Sequence, residues 1–120
     1  MNNEKILLVY GLEKTELDFF SMSNIKYKII TEDMGSCVIE NILNDNSCLG
    51  SKVSLPREKV ILINGFEEDE VGAMVRIIRA TMGKNPILAV ITKTSITWTF
   101  QYLLKHLIEE RQWYKNNSSK

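Results

Sequence analysis

The chain has 120 residues, of which 44% are hydrophobic and 25% are charged. This composition is typical of one folded domain and excludes wholesale disorder. Fifteen basic and fifteen acidic residues cancel, so the net charge supports neither a nucleic-acid partner nor an anionic membrane surface. No stretch reaches the roughly eighteen apolar residues of a membrane-spanning helix, and no export signal precedes the first strand, which predicts a cytoplasmic protein.

Two apolar runs begin two similar segments of the chain. Ile6–Val9 and Val60–Ile63 are continuous and rich in β-branched residues, as is typical of strands buried on both faces. Gly11 and Gly65 follow them as turn residues, and a Glu-x-x-Glu pattern then favours a helix start. In chain order we predict strands near 5–10, 25–31, 59–64 and 86–92, and helices near 13–22, 34–44, 67–82 and 96–114.

The similarity of the two segments predicts an internal repeat. Residues 5–17 and 59–71 align without a gap at an offset of 54 positions. We therefore expect a single domain, 1–120, with repeat 1 at about 4–44, a loop-like linker at 45–58 and repeat 2 at about 59–115. The identical pairs are Lys5 and Lys59, Leu8 and Leu62, Gly11 and Gly65, Glu13 and Glu67, and Glu16 and Glu70.

Strands that alternate with helices predict an α/β fold with right-handed crossovers. Two β-α-β-α units give a four-stranded parallel sheet of order 2-1-3-4, with helices on both faces. A ferredoxin-like or otherwise mixed α+β sheet satisfies the same pattern and stays the alternative.

The second half carries a family resemblance. Leu88–Thr92 reads Leu-Ala-Val-Ile-Thr, a turn with Thr94 follows, and Trp98-Thr99 begins a helix. Over 62–114 this pattern resembles an uncharacterised bacterial family known only as a domain of unknown function. The resemblance implies a folded domain and carries no activity.

The predicted parallel sheet implies a ligand crevice between strands 1 and 3, because ligands bind at the carboxyl ends of such strands. No phosphate-binding glycine motif is present. Acidic residues after each glycine also oppose an anion at the helix N-termini. No nucleophile or base accompanies the crevice, so we assign no catalytic residue. The predicted ligand-binding residues are Tyr10, Gly11, Asn64, Gly65, Thr92 and Thr94.

The cysteines and the histidine predict neither a metal site nor a cofactor. Cys37 and Cys48 lack the paired spacing of zinc ligands and are too few for a disulfide scaffold. We place Cys37 in the core and Cys48 on the exposed linker. His106 stands alone on the outer side of the last helix.

The last helix has two apolar faces. Helical spacing places Phe100, Leu103, Leu104, Leu107, Ile108 and Tyr114 on a stripe that packs on the sheet. Trp98, Tyr102, His106 and Trp113 form a second stripe on the opposite side. Aromatic residues of this kind are enriched at protein interfaces, so the stripe predicts a homo-oligomer or a protein partner.

Two functions therefore follow from the sequence. The first is a non-enzymatic interaction or regulatory module that self-associates through its last helix. The second is a small-ligand module, or a minimal enzyme, at the crevice between strands 1 and 3.

Overall fold

The computed structural model describes residues 4–45, 48 and 53–118. The predicted linker therefore lies partly outside the described residues. Short 3₁₀ turns occupy Glu32–Met34 and Ser95–Thr97. The strands are β1 Ile6–Tyr10, β2 Tyr27–Ile29, β3 Val60–Asn64 and β4 Ile87–Val90, and the helices are α1 Lys14–Met22, α2 Ile39–Leu43, α3 Glu68–Met82 and α4 Phe100–Ser118.

The four strands form one sheet in the order β2-β1-β3-β4, which confirms the predicted order. The prediction of a fully parallel sheet is wrong, because β1 and β3 are antiparallel while the two outer pairs are parallel. Because Tyr10 at the end of β1 pairs with Val60 at the start of β3, β3 begins at the edge where β1 and β2 end. A buried apolar run looks the same in either direction, so the pattern could not reveal this.

The hydrophobic core has two parts, because side chains alternate between the two faces of a strand. Leu8 and Leu62 belong to one cluster, and Leu7 and Ile61 belong to the other. The first cluster packs under α2 and α4, and the second under α1 and α3. The helical members are Ile39, Ile42, Leu43, Phe100, Leu103 and Leu104 in the first, and Phe20, Met74 and Ile78 in the second.

Both helices that follow a 3₁₀ turn begin later than the sequence predicts. The chain straightens at Val38 and at Thr99, which form an isolated antiparallel bridge. The Ile39 amide donates to the Trp98 carbonyl at 2.9 Å, and the Phe100 amide donates to the Cys37 carbonyl at 3.0 Å. These two bonds require extended backbone, so the predicted helices 34–44 and 96–114 begin only at Ile39 and Phe100.

The turns after β1 and β3 use glycine for a conformational reason. Gly11 has φ of +77° and Gly65 has φ of +82°, a backbone conformation that residues with a side chain rarely adopt.

In the described residues, no helix has both the length and the apolar character that a membrane span requires.

Candidate functional site

The structure divides the predicted crevice between two opposite edges of the sheet. The register pairs Tyr10 with Val60 and Ile6 with Asn64, so the ends of β1 and β3 point away from each other. Tyr10 and Gly11 therefore lie at one edge, whereas Asn64, Gly65, Thr92 and Thr94 belong to the other. The crevice between strands 1 and 3 depended on parallel strands, and the antiparallel pairing removes it.

The side chains of Asn64 and Ser95 form hydrogen bonds with the backbone. Asn64 binds the segment before β1, and Ser95 binds within its own 3₁₀ turn. Asn64 is only 4% exposed and donates from Nδ2 to the Glu4 carbonyl at 2.9 Å. The Thr92 amide donates to Ser95 Oγ at 2.9 Å, and the Ser95 amide donates to Thr92 Oγ1 at 3.1 Å. These reciprocal bonds close the 3₁₀ turn. They engage the hydroxyls that a ligand would otherwise use.

The edge with Tyr10 forms an open groove of about 940 Å³. Arg111 lies in it and makes a bidentate ion pair with Glu58, from Nη1 to Oε1 at 3.0 Å and from Nη2 to Oε2 at 2.5 Å. This pairing holds the pKa of Arg111 above its ordinary value. The charges at the groove are mixed, so it has no single electrostatic preference. Its lining residues are Tyr10, Gly11, Glu13, Glu32, Ser54, Leu55, Arg57, Glu58, Lys59, Asn85 and Arg111.

Tyr10 is fixed at the floor of this groove. Its hydroxyl donates to the Pro56 carbonyl at 2.9 Å, and its ring lies 5.2 Å from the Phe100 ring between centroids. Burial, followed by the negative charge of Glu32, raises the pKa of the Tyr10 phenol. A neutral phenol bonded to a carbonyl suits a structural role, and its raised pKa makes it a poor general base near neutral pH.

A second surface runs along the outer side of α4. The Trp98 ring lies 4.7 Å from Tyr102 and 5.3 Å from His106 between centroids, edge-on in both cases. Trp98 itself is half-buried and packs on the first core cluster. The structure thus brings together three of the four residues of the predicted second stripe. Trp98 anchors the group, while Tyr102 and His106 face solvent.

The final turns of α4 extend this surface past the core. Trp113 is 60% exposed and Tyr114 is 61% exposed, and their rings stack edge-on at 5.1 Å. The expectation that Tyr114 packs on the sheet is wrong, because its side chain is exposed and belongs to neither core cluster. We call Trp98, Tyr102, His106 and Trp113 the aromatic surface.

The structure joins the cysteines. Cys37 is 2% exposed, Cys48 is half-buried, and a disulfide links them with their Cα atoms 5.7 Å apart. Our expectation of an unpaired, exposed Cys48 is therefore wrong. Their separation of 11 residues gave no signal by itself, because two cysteines fix neither pairing nor redox state. The bond ties residue 48 to the segment just before α2.

Sequence reasoning also missed the residue that caps α4. Thr99 Oγ1 accepts a hydrogen bond from the Tyr102 amide at 3.2 Å, which is the N-cap pattern. The Trp-Thr pair was visible in the sequence, but the 3₁₀ turn that delays the helix was not.

One comparison with known proteins bears on the same segment. Residues 59–114 match a family model described as Domain of unknown function (DUF3783). The match confirms the resemblance drawn from residues 62–114. It spans β3, α3, β4 and most of α4, and thus includes the aromatic surface. No curated protein and no solved structure matches the chain.

Proposed function

We propose that this protein is a non-enzymatic interaction module that self-associates through the aromatic surface. The observation that carries the proposal is the exposure of two large aromatic residues on one helix face, 54% for Tyr102 and 60% for Trp113. Large aromatic residues are enriched at protein interfaces relative to the rest of the surface, so their exposure on one helix face indicates an interaction site.

The way α4 is held supports a docking role. Phe100, Leu103 and Leu104 bury its inner side in the core, so its outer side is presented on a rigid support. Trp98, just before the start of α4, packs against the same core cluster. A rigid surface loses little conformational freedom on binding, which favours affinity.

The test compares two exposed apolar residues on different helices. Trp113→Ser removes a ring from the aromatic surface, whereas Met22→Ser removes a side chain that is 86% exposed at the end of α1. We expect the first variant to weaken assembly by at least about tenfold, as hot-spot residues do, and the second to leave it near wild type. Sedimentation velocity over a concentration series measures both.

Tyr102→Ser should act like Trp113→Ser, because Tyr102 lies on the same face. Trp98 is a poorer target since its substitution would also disturb the core. Circular dichroism of each variant checks the fold. Equal assembly by wild type and both surface variants would contradict the proposal.

A second candidate is a small-ligand site in the groove, and the groove's volume favours it. Tyr10 and Gly11 belong to it, with Arg57 and Arg111 on the same walls. Titration with a library of small zwitterions, followed by ¹H–¹⁵N NMR, would shift resonances around Gly11 and Arg57. Shifts confined to α4, or none, would leave the interaction function as the better account.

The repeat and the cellular location belong to the same proposal. The two halves have the same order of strands, 3₁₀ turn and helices, which supports one duplicated unit. A bacterial origin is kept as what the family resemblance implies. We keep the cytoplasm as the proposed location, although the disulfide is more typical of oxidising compartments. Alkylation of free thiols at cell lysis tests this location. Two alkylated cysteines would support the cytoplasm, and a protein with no alkylated cysteine would contradict it.

A further inference from the structure

We infer that the partner of the aromatic surface is a second copy of this chain, docked with the two α4 helices antiparallel about a midpoint between Leu107 and Ile108. This inference rests on the proposed function and specifies its geometry. It draws on the spacing of the exposed residues, on the distribution of their charges, and on the absence of ion-pair partners for those charges among the residues that the structure describes.

The spacing defines a seam along the outer side of α4. Tyr102, His106, Glu109 and Trp113 follow one another at intervals of four, three and four residues, which keeps them on one stripe of a helix. Tyr102 and Trp113 occupy the two ends of the seam, about 16 Å apart along the axis. An antiparallel partner centred between Leu107 and Ile108 places each Tyr102 opposite the other copy's Trp113.

The charges are divided at the same midpoint. Lys105 and His106 precede it, and Glu109 and Glu110 follow it. An antiparallel pair sets the basic half of each helix against the acidic half of the other. A parallel pair sets Lys105 against Lys105 and Glu109 against Glu109, which is repulsive. The surface is therefore complementary to itself in one orientation only.

These charges are available for a partner. In the part of the chain that the structure describes, no ion pair involves Lys105, His106, Glu109 or Glu110. Arg111, by contrast, lies towards the core side and is already paired with Glu58. The side chains of Lys105, His106, Glu109 and Glu110 are all exposed.

Self-complementarity points to a second copy rather than to a different protein. In a two-fold dimer, residue i of one copy contacts residue j of the other, and j contacts i in return. The pair Tyr102 with Trp113 satisfies this rule about the midpoint between Leu107 and Ile108. The pair Lys105 with Glu109 is centred half a residue away, a shift along the helix axis of under about 1 Å that their long side chains can span. Because the symmetry is closed, the assembly ends at a dimer.

The experiment reverses charges in the full-length chain and measures the dimer dissociation constant by sedimentation velocity. Lys105→Glu and Glu109→Lys should each raise it by roughly tenfold, since every dimer contains the altered contact twice. Mixing the two variants should restore dimerisation as a heterodimer, because each then supplies the charge that the other lacks. Lys115→Glu makes the same charge change on α4 outside the seam and should leave the dissociation constant near wild type.

The outcomes separate this inference from the proposed function. A dimer that survives both charge reversals, yet is lost on Trp113→Ser, overturns the antiparallel arrangement and retains self-association. A monomer at every concentration overturns both. Weakening by Lys115→Glu to the same extent would show a net-charge effect and would also overturn the inference.

Discussion

Leu8 and Leu62 are paired across the centre of β1 and β3, and they are also equivalent residues of the two similar segments. Their pairing places a pseudo-two-fold axis at the middle of the sheet. On either side of it, Leu7 pairs with Ile63 and Val9 pairs with Ile61. A second symmetric contact, the bridge between Val38 and Thr99, holds the halves together away from the sheet.

The ion pairs that link the two halves follow the same symmetry. Lys59 Nζ contacts Glu16 Oε2 at 3.0 Å, and Lys5 Nζ contacts Glu70 Oε2 at 2.6 Å. The Oε1 atom of each glutamate also accepts a hydrogen bond from the backbone amide three residues earlier, and the distance is 2.8 Å in both cases. The residues that are identical in the two segments therefore have matching roles at the boundary between them.

Gly11→Ala should destabilise the protein by about 3 kcal/mol or more. A Cβ there would lie 2.1 Å from the Glu58 carbonyl oxygen, and φ is +77°. Gly83→Ala is the matched control, because Gly83 has φ of +75° with nothing within 4 Å. It should cost about 1–3 kcal/mol from backbone strain alone, because its ψ of −153° lies in a region that side chains hardly enter, and so less than Gly11→Ala, which adds the clash. Urea unfolding measures both, and equal losses would contradict the close approach to Glu58.

Loss of the disulfide should lower the free energy of unfolding by about 3 kcal/mol, as expected for a short closed loop. Cys48→Ser tests this without placing a new polar group in the core, because Cys48 is only half-buried. Wild-type protein should lose the same stability on adding a reductant, whereas the variant should not respond. Two reactive thiols in folded, unreduced protein would refute the pairing.

The Glu70 carboxyl should titrate below its ordinary range, because the hydrogen bond from Lys5 lowers its pKa, with a further contribution from the Glu67 amide. The interaction stabilises the fold above the ordinary carboxyl pKa and is lost as the pH falls through the lowered value. Lys5→Met should therefore raise the pKa of Glu70, as measured by ¹³C NMR titration. Lys14→Met removes the same charge from a lysine with no ion pair among the described residues, and an equal shift there would contradict the assignment.

Thr99→Ala should destabilise the protein by about 1 kcal/mol, since it removes the hydroxyl that caps α4. Thr94→Ala is the control, because Thr94 is exposed and, among the described residues, its hydrogen bonds are accepted by its carbonyl and not made by its hydroxyl. Thermal unfolding followed by circular dichroism compares the two. A larger loss at Thr94 would contradict the assignment of the cap to Thr99.

The sequence by itself determined the elements and much of their arrangement. Continuous apolar runs at Ile6–Val9 and Val60–Ile63 predicted the two central strands, because only doubly covered strands bury every side chain. The repeated pattern of lysine, glycine and glutamates predicted two similar halves and thereby the strand order. Helical spacing placed Tyr102, His106 and Trp113 on the outer side of the last helix. Each of these inferences depends on local periodicity, which the chain carries residue by residue.

Only the tertiary structure decided the direction of β3, the partner of Cys37 and the reach of α4. An apolar strand has no signal for its direction, so the sequence could not exclude parallel strands, which would bring Tyr10 and Asn64 to one edge. The antiparallel register places them at opposite edges of the sheet. The pairing of Cys37 with Cys48 depends on where the linker crosses the core. Tyr114 was placed inside because its spacing matched the core stripe, yet the core ends before α4 does. These features depend on which distant segments meet, and local pattern does not encode that.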